Sequence, residues 1–235
     1  GVDIADVNGN GIPEIFVTSL NRQTVDSFVI EYRNGNYEVI AKGLPFMIRA
    51  IHSMGTTRLL GQILAVESVK QENPFINPIH HVVWNGERYA LGEKIRVPVG
   101  LSVYGLTLED IEGKNLERVI TYDEYDYLRI YEKTDKLLIH LQNVLGSGEL
   151  IWRSDEQYGG SNNSFKPQYA TGTRNLVDVP DSIFMKQRIL SYDLNKDGKK
   201  ELIVVKNLSP LGRVLFKNVP LFTSAEIYNL EWDGL

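Results

Sequence analysis

The chain has 235 residues, a formal net charge of −5, a pI near 5.5 and no cysteine. An acidic balance argues against nucleic acid as the main partner, because phosphate contacts need a basic face. The missing cysteines exclude disulfides, thiolate metal sites and cysteine nucleophiles. Hydrophobic residues make up 43% of the chain, enough for a sizeable core, and no run reaches the roughly 18 apolar residues that a membrane helix needs.

The opening residues, GVDIADVNGNG, do not form a signal peptide and read as mid-domain sequence. A longer precursor carrying a leader is the expectation. The apolar runs that follow are short and rich in β-branched and aromatic residues: IFVTS (15–19), SFVIEY (27–32), HHVVW (80–84), RVITY (118–122), YLRIYE (127–132) and ELIVVK (201–206). Runs of this length and composition predict strands. Segment 135–145 (DKLLIHLQNVL) has the best helical spacing and equally fits a strand and a turn.

Two kinds of unit recur. One is an acidic loop feeding a strand, DVNGNGIPEIFV (6–17) and DLNKDGKKELIVV (193–205), with a degenerate copy DIEGKNLERVITY (110–122). The other is a strand and an aromatic residue beside an Asn-Gly or Asp-Gly turn: FVIEYRNGNYEVI (28–40), HVVWNGERYAL (81–91) and NLEWDGL (229–235). Such turns place both central residues at positive φ and mark hairpins. Alternating the two gives a four-stranded unit, the blade of a β-propeller. Units fall at about 1–46, 47–100, 101–160 and 161–235, as a four-blade ring or part of a larger one. The second lacks an acidic loop, the third and fourth carry insertions near 134–147 and 207–222, and the fourth stops at its hairpin turn. A closing strand from further sequence or from elsewhere is expected there.

Both full loops read D-x-N-x-[ND]-G-x-x-E. The candidate ligands are Asp6, Asn8, Asn10, the Ile12 carbonyl and Glu14, and Asp193, Asn195, Asp197, the Lys199 carbonyl and Glu201. Oxygens at positions one, three, five, seven and nine can wrap one hard cation, and Ca²⁺ accepts such a set more readily than Mg²⁺, which demands strict octahedral geometry. An EF-hand starts alike but closes on a Glu at position twelve; Val17 and Val204 stand there, ahead of strand-forming residues. The asparagines lower the ligand charge, which predicts weak affinity and a calcium-rich compartment: periplasmic, cell-surface or secreted. In the degenerate loop Lys114 replaces a ligand, Asn115 replaces the turn glycine and Arg118 replaces the closing Glu. Two cations there would repel Ca²⁺, so Lys114 or Arg118 is expected to stand in for the ion.

On these residues the chain resembles the FG-GAP and VCBS repeat family, whose blades carry D-x-[DN]-x-[DN]-G-x-x-[DE] before an apolar strand. The match is full at 6–17 and 193–205 and partial at 110–122. The Phe-Gly and Gly-Ala-Pro elements are missing, which places the likeness nearer the VCBS-like bacterial branch. The resemblance implies a calcium-bearing propeller in an exported protein, used for adhesion or recognition, with no catalytic residue.

Other candidates are weaker. His80 and His81 face opposite ways on a strand, and only His52 and His140 remain as partners. The run Tyr122–Tyr127 reads as a sugar- or peptide-contacting edge or as a solvated connection. QYGGSNNS (157–164) reads as a surface loop, and Trp84, Trp152 and Trp232 as blade core. The expected function is a calcium-binding, non-enzymatic recognition, adhesion or structural module with a protein or glycan partner. The alternative is a polysaccharide hydrolase or lyase acting at the central channel.

Overall fold

A computed structural model describes residues 1–21, 24–65, 73–133, 148–165, 183–209 and 222–234. Among them the chain is all-β and has no helix. The sheets are those of β-propeller blades, with strands laid side by side in sequence order and antiparallel throughout. Segment 135–145, the helical candidate, lies outside the described residues.

The first sheet runs β1 (Val2–Ala5), β2 (Glu14–Val17), β5 (Ser27–Arg33) and β6 (Asn36–Leu44). A small hairpin, β3 (Leu20–Asn21) and β4 (Thr24–Val25), lies between β2 and β5. The acidic loop 6–13 joins β1 to β2, with Ala5 opposite Glu14. Asn34 and Gly35 take φ of +51° and +84° between β5 and β6, the turn that Asn-Gly predicts. In the second sheet β7 (Met47–Ser53), β8 (Thr56–Gln62), β9 (Ile79–Trp84) and β10 (Tyr89–Lys94) follow the same order. Here Met54 and Gly55, both at positive φ, make a tight hairpin where the acidic loop would stand.

The third sheet runs β11 (Leu106–Glu109), β12 (Arg118–Tyr122), β13 (Tyr127–Glu132) and β14 (Glu149–Gln157). A two-stranded piece, β15 (Ser164–Phe165) with β16 (Ile183–Phe184), follows. The fourth sheet has three described strands, β17 (Leu190–Tyr192), β18 (Glu201–Leu208) and β19 (Ser224–Leu230). The four sheets lie within residues 2–44, 47–94, 106–157 and 190–230.

The chain divides into two compact units, one around Gly1–Ile51 and Thr56–Ile95, the other around Arg96–Ser164 and Phe184–Leu235. The first is packed around Phe16, Val29, Ile48, Leu59, Val82 and Tyr89. The second is packed around Ile111, Ile120, Leu128, Ile130, Ile189 and Val204. Burying such side chains contributes roughly 1.5–3 kcal/mol each. Strand β12 is buried along its whole length and β2 at alternate positions, so the closing residue of each loop, Glu14 or Arg118, enters the sheet on a buried site.

Candidate metal centre

The three acidic loops share one backbone design. Their fourth residues, Gly9, Gly113 and Lys196, have φ of +75°, +69° and +63°. Their sixth, Gly11, Asn115 and Gly198, have φ of +83°, +57° and +90°. The sixth N–H donates to the first-position carboxylate in each: Gly11 to Asp6 Oδ2 at 3.0 Å, Asn115 to Asp110 Oδ2 at 2.6 Å, and Gly198 to Asp193 Oδ2 at 3.1 Å. A carboxylate at position one thus folds the loop, and Asn tolerates the left-handed conformation that glycine takes in the other two.

In the last loop, Asp193, Asp197 and Glu201 each bring a carboxylate oxygen within 4.8 Å of the others, a group able to hold a metal ion. The Asn195 side chain accepts from Asp197 N–H at 2.9 Å, and Asp197 Oδ1 accepts from Lys199 N–H at 2.8 Å. Glu201 is 2% exposed. Its Oε2 accepts from Leu194 N–H at 2.6 Å, while Oε1 is buried with no hydrogen-bond partner among the described residues. An unmet buried acceptor costs about 1–3 kcal/mol, more when charged. Like charges at this spacing repel by on the order of 3 kcal/mol per pair at an effective dielectric constant of about 20, less at the exposed Asp197. A cation among these oxygens removes both penalties.

The first loop has the same ligand types and a different set of partners. Glu14, fully buried, accepts from Val7 N–H on Oε2 at 2.8 Å. Its Oε1 accepts from Asn8 N–H at 3.2 Å and from the Tyr89 hydroxyl at 2.5 Å. Asp6 accepts from Gly9 and Gly11, Asn8 Oδ1 from Asn10 N–H, and Asn10 Oδ1 from Ile12 N–H. The amide nitrogens of Asn8 and Asn10 both donate to Glu31 Oε1, at 2.7 and 2.9 Å. Arg33 pairs with the other oxygen of Glu31 and holds that carboxyl below the usual carboxylate range. Burial, then the bond to Glu14, pushes the Tyr89 hydroxyl up.

Glu31, Arg33 and Tyr89 escape a motif search because they lie outside the loop. Register carries the signal for Glu31: Ile15 faces Ile30 on β5, so the next pair along sets Glu31 beside Glu14. Tyr89 sits on β10, remote in sequence, with its ring edge-on to Phe16 at 5.4 Å.

In the third loop the cation is a side chain. Arg118 Nη2 lies 2.7 Å from Glu112 and Nη1 lies 2.8 Å from Glu132, its neighbour across β13. Lys114 reaches Glu112 at 2.7 Å. Lys114 first, then Arg118, lowers the Glu112 pKa. Both cations expected to replace the ion therefore converge on the third-position carboxylate.

Asp193, Asp197 and Glu201 are the only group of three or more His, Asp or Glu ligand atoms so placed among the described residues. His80 bonds the Gly92 carbonyl at 2.9 Å. The run at 122–127 is a solvated connection only at its tip, where Glu124 and Tyr125 are exposed. Asp123 is held by Arg129 at 2.8 Å and Asp126 by Lys186 at 2.6 Å, so the turn between β12 and β13 is tied down by ion pairs. Trp84 packs on Tyr89 at 4.8 Å, and Trp152 meets Trp232 edge to face at 6.0 Å. A cleft of about 430 Å³ borders that second pair, with Asp155, Glu156, Glu231 and Asp233 on its walls. A scan against protein-family models and searches of curated proteins and of solved structures return no match.

Proposed function

We propose that this chain is a calcium-binding β-propeller module of the FG-GAP and VCBS type, acting in recognition, adhesion or structural support of an exported protein rather than in catalysis. The observation that carries the reading is the unpartnered, buried Glu201 Oε1 beside Asp193 and Asp197. Carboxylate, amide and carbonyl oxygens from Asp193, Asn195, Asp197, Lys199 and Glu201 suit a hard cation, and Ca²⁺ tolerates their irregular arrangement better than Mg²⁺. The ion would cross-link the loop to the start of β18 and stabilise the folded state by RT ln(1 + [L]/Kd). With one amide among the side-chain ligands and Lys196, Lys199 and Lys200 in the same loop, affinity is weak. That suits a compartment rich in calcium, such as a periplasm, a cell surface or the extracellular space. A protein or glycan is the partner class that such a module presents its loops to.

The test is a thermal melt of the full chain in millimolar Ca²⁺ and in chelator, beside Glu201→Gln. At about 100 times Kd the ion contributes about 2.7 kcal/mol, which raises the midpoint of the wild type only. Equal midpoints for the wild type in the two buffers would sink the proposal.

A further inference from the structure

The three loops part at the closing residue. In the first and last, the closing glutamate uses Oε2 to accept the N–H of the second loop residue, Val7 or Leu194. The remaining oxygen is therefore equivalent in the two. In the last loop it is buried and has no hydrogen-bond partner among the described residues. In the first it accepts the Tyr89 hydroxyl. In the third the closing residue is Arg118, whose own charge neutralises Glu112.

We infer that the ion requirement is confined to the last loop, and that Tyr89 caps the first loop in the position the ion takes in the last. Reliance on calcium is thereby local: β17 and β18 need the ion for full stability, while the first sheet holds its loop by hydrogen bonds from its own unit. This rests on the calcium reading of the last loop. Three further features agree. Glu31 and Arg33 neutralise each other beside Asn8 and Asn10. The amide nitrogens of both asparagines are spent on Glu31. Tyr89 belongs to the apolar core, so its hydroxyl is delivered by packing on Phe16 and Trp84 and is not free to swing away.

The experiment is calcium titration of the full chain by calorimetry, with hydrogen exchange read by mass spectrometry in Ca²⁺ and in chelator. The expected stoichiometry is one ion per chain. It falls to zero in Glu201→Gln and stays at one in Glu14→Gln. At ten times Kd, exchange in segment 193–205 slows about tenfold, while segment 6–17 exchanges alike in both buffers. The exchange arm needs no variant, so misfolding of Glu14→Gln leaves the test intact. Two ions per chain, or calcium protection at 6–17, would overturn the inference and leave the last-loop site standing. No bound ion at all would overturn the site and the inference together.

Discussion

Replacing Arg118 by leucine removes a cation that the third loop carries as part of its own chain. The Arg118 side chain is 10% exposed, Glu112 13% and Glu132 44%. Breaking a buried pair by deleting one partner costs about 3–5 kcal/mol, because the other charge stays buried. Two features reduce that figure here. Glu132 is near enough to water to be resolvated, and Lys114 remains 2.7 Å from Glu112. The expected loss is therefore about 2 kcal/mol, a fall in the unfolding midpoint of about 4–8 °C at 2–4 °C per kcal/mol for a chain of this size. Chemical denaturation of the single variant, of Glu112→Gln and of the double variant isolates the pair term, expected near 1 kcal/mol or more. A loss below about 0.5 kcal/mol, the size of an ordinary surface change, would show that the guanidinium does not hold this loop.

Glu201→Gln should stabilise the metal-free chain by about 1 kcal/mol, since it removes the charge of a buried carboxylate whose Oε1 has no partner among the described residues; a destabilised variant in chelator would contradict this. Gly61→Ala should cost about 1–3 kcal/mol by overpacking, because its Cβ would lie 2.5 Å from Leu91 Cδ2 and 2.7 Å from Val82 Cγ2; an unchanged urea midpoint would refute the tight fit. Glu31 and Glu112 have lowered pKa values in the folded state, through Arg33 and through Lys114 and Arg118. Their stabilisation is full above the ordinary carboxylate value of about 4.3 and is lost as pH falls through the folded-state values. The acid fall in urea midpoint should shrink in Glu112→Gln, and an identical acid profile would count against the pairing.

The blade pattern was legible where a local signal had one reading. Asn34-Gly35 could only turn, and EIFV and ELIVVK after their loops could only be strands. The loop design was legible in part: positions one and six are read directly from the sequence, whereas the positive φ of Lys196 at position four is not. What distinguishes the two closing glutamates was hidden. Glu14 and Glu201 hold the same place in the motif, yet a tyrosine from β10 satisfies one and not the other. That contact spans 75 residues of sequence and follows from how Phe16 and Trp84 pack, which no loop motif encodes. Within the acidic run at 122–127, the ties of Asp123 and Asp126 were hidden as well, because their partners, Arg129, Arg153 and Lys186, come from β13, β14 and the segment before β17.

The most direct measurement is a crystal structure of the full chain grown with millimolar calcium, read for anomalous signal at the last loop. The account predicts one strong peak, bound at roughly 2.3–2.6 Å by oxygens of Asp193, Asp197 and Glu201. Carboxylates bridged only by water, or a salt bridge from a neighbouring lysine in place of the peak, would contradict it.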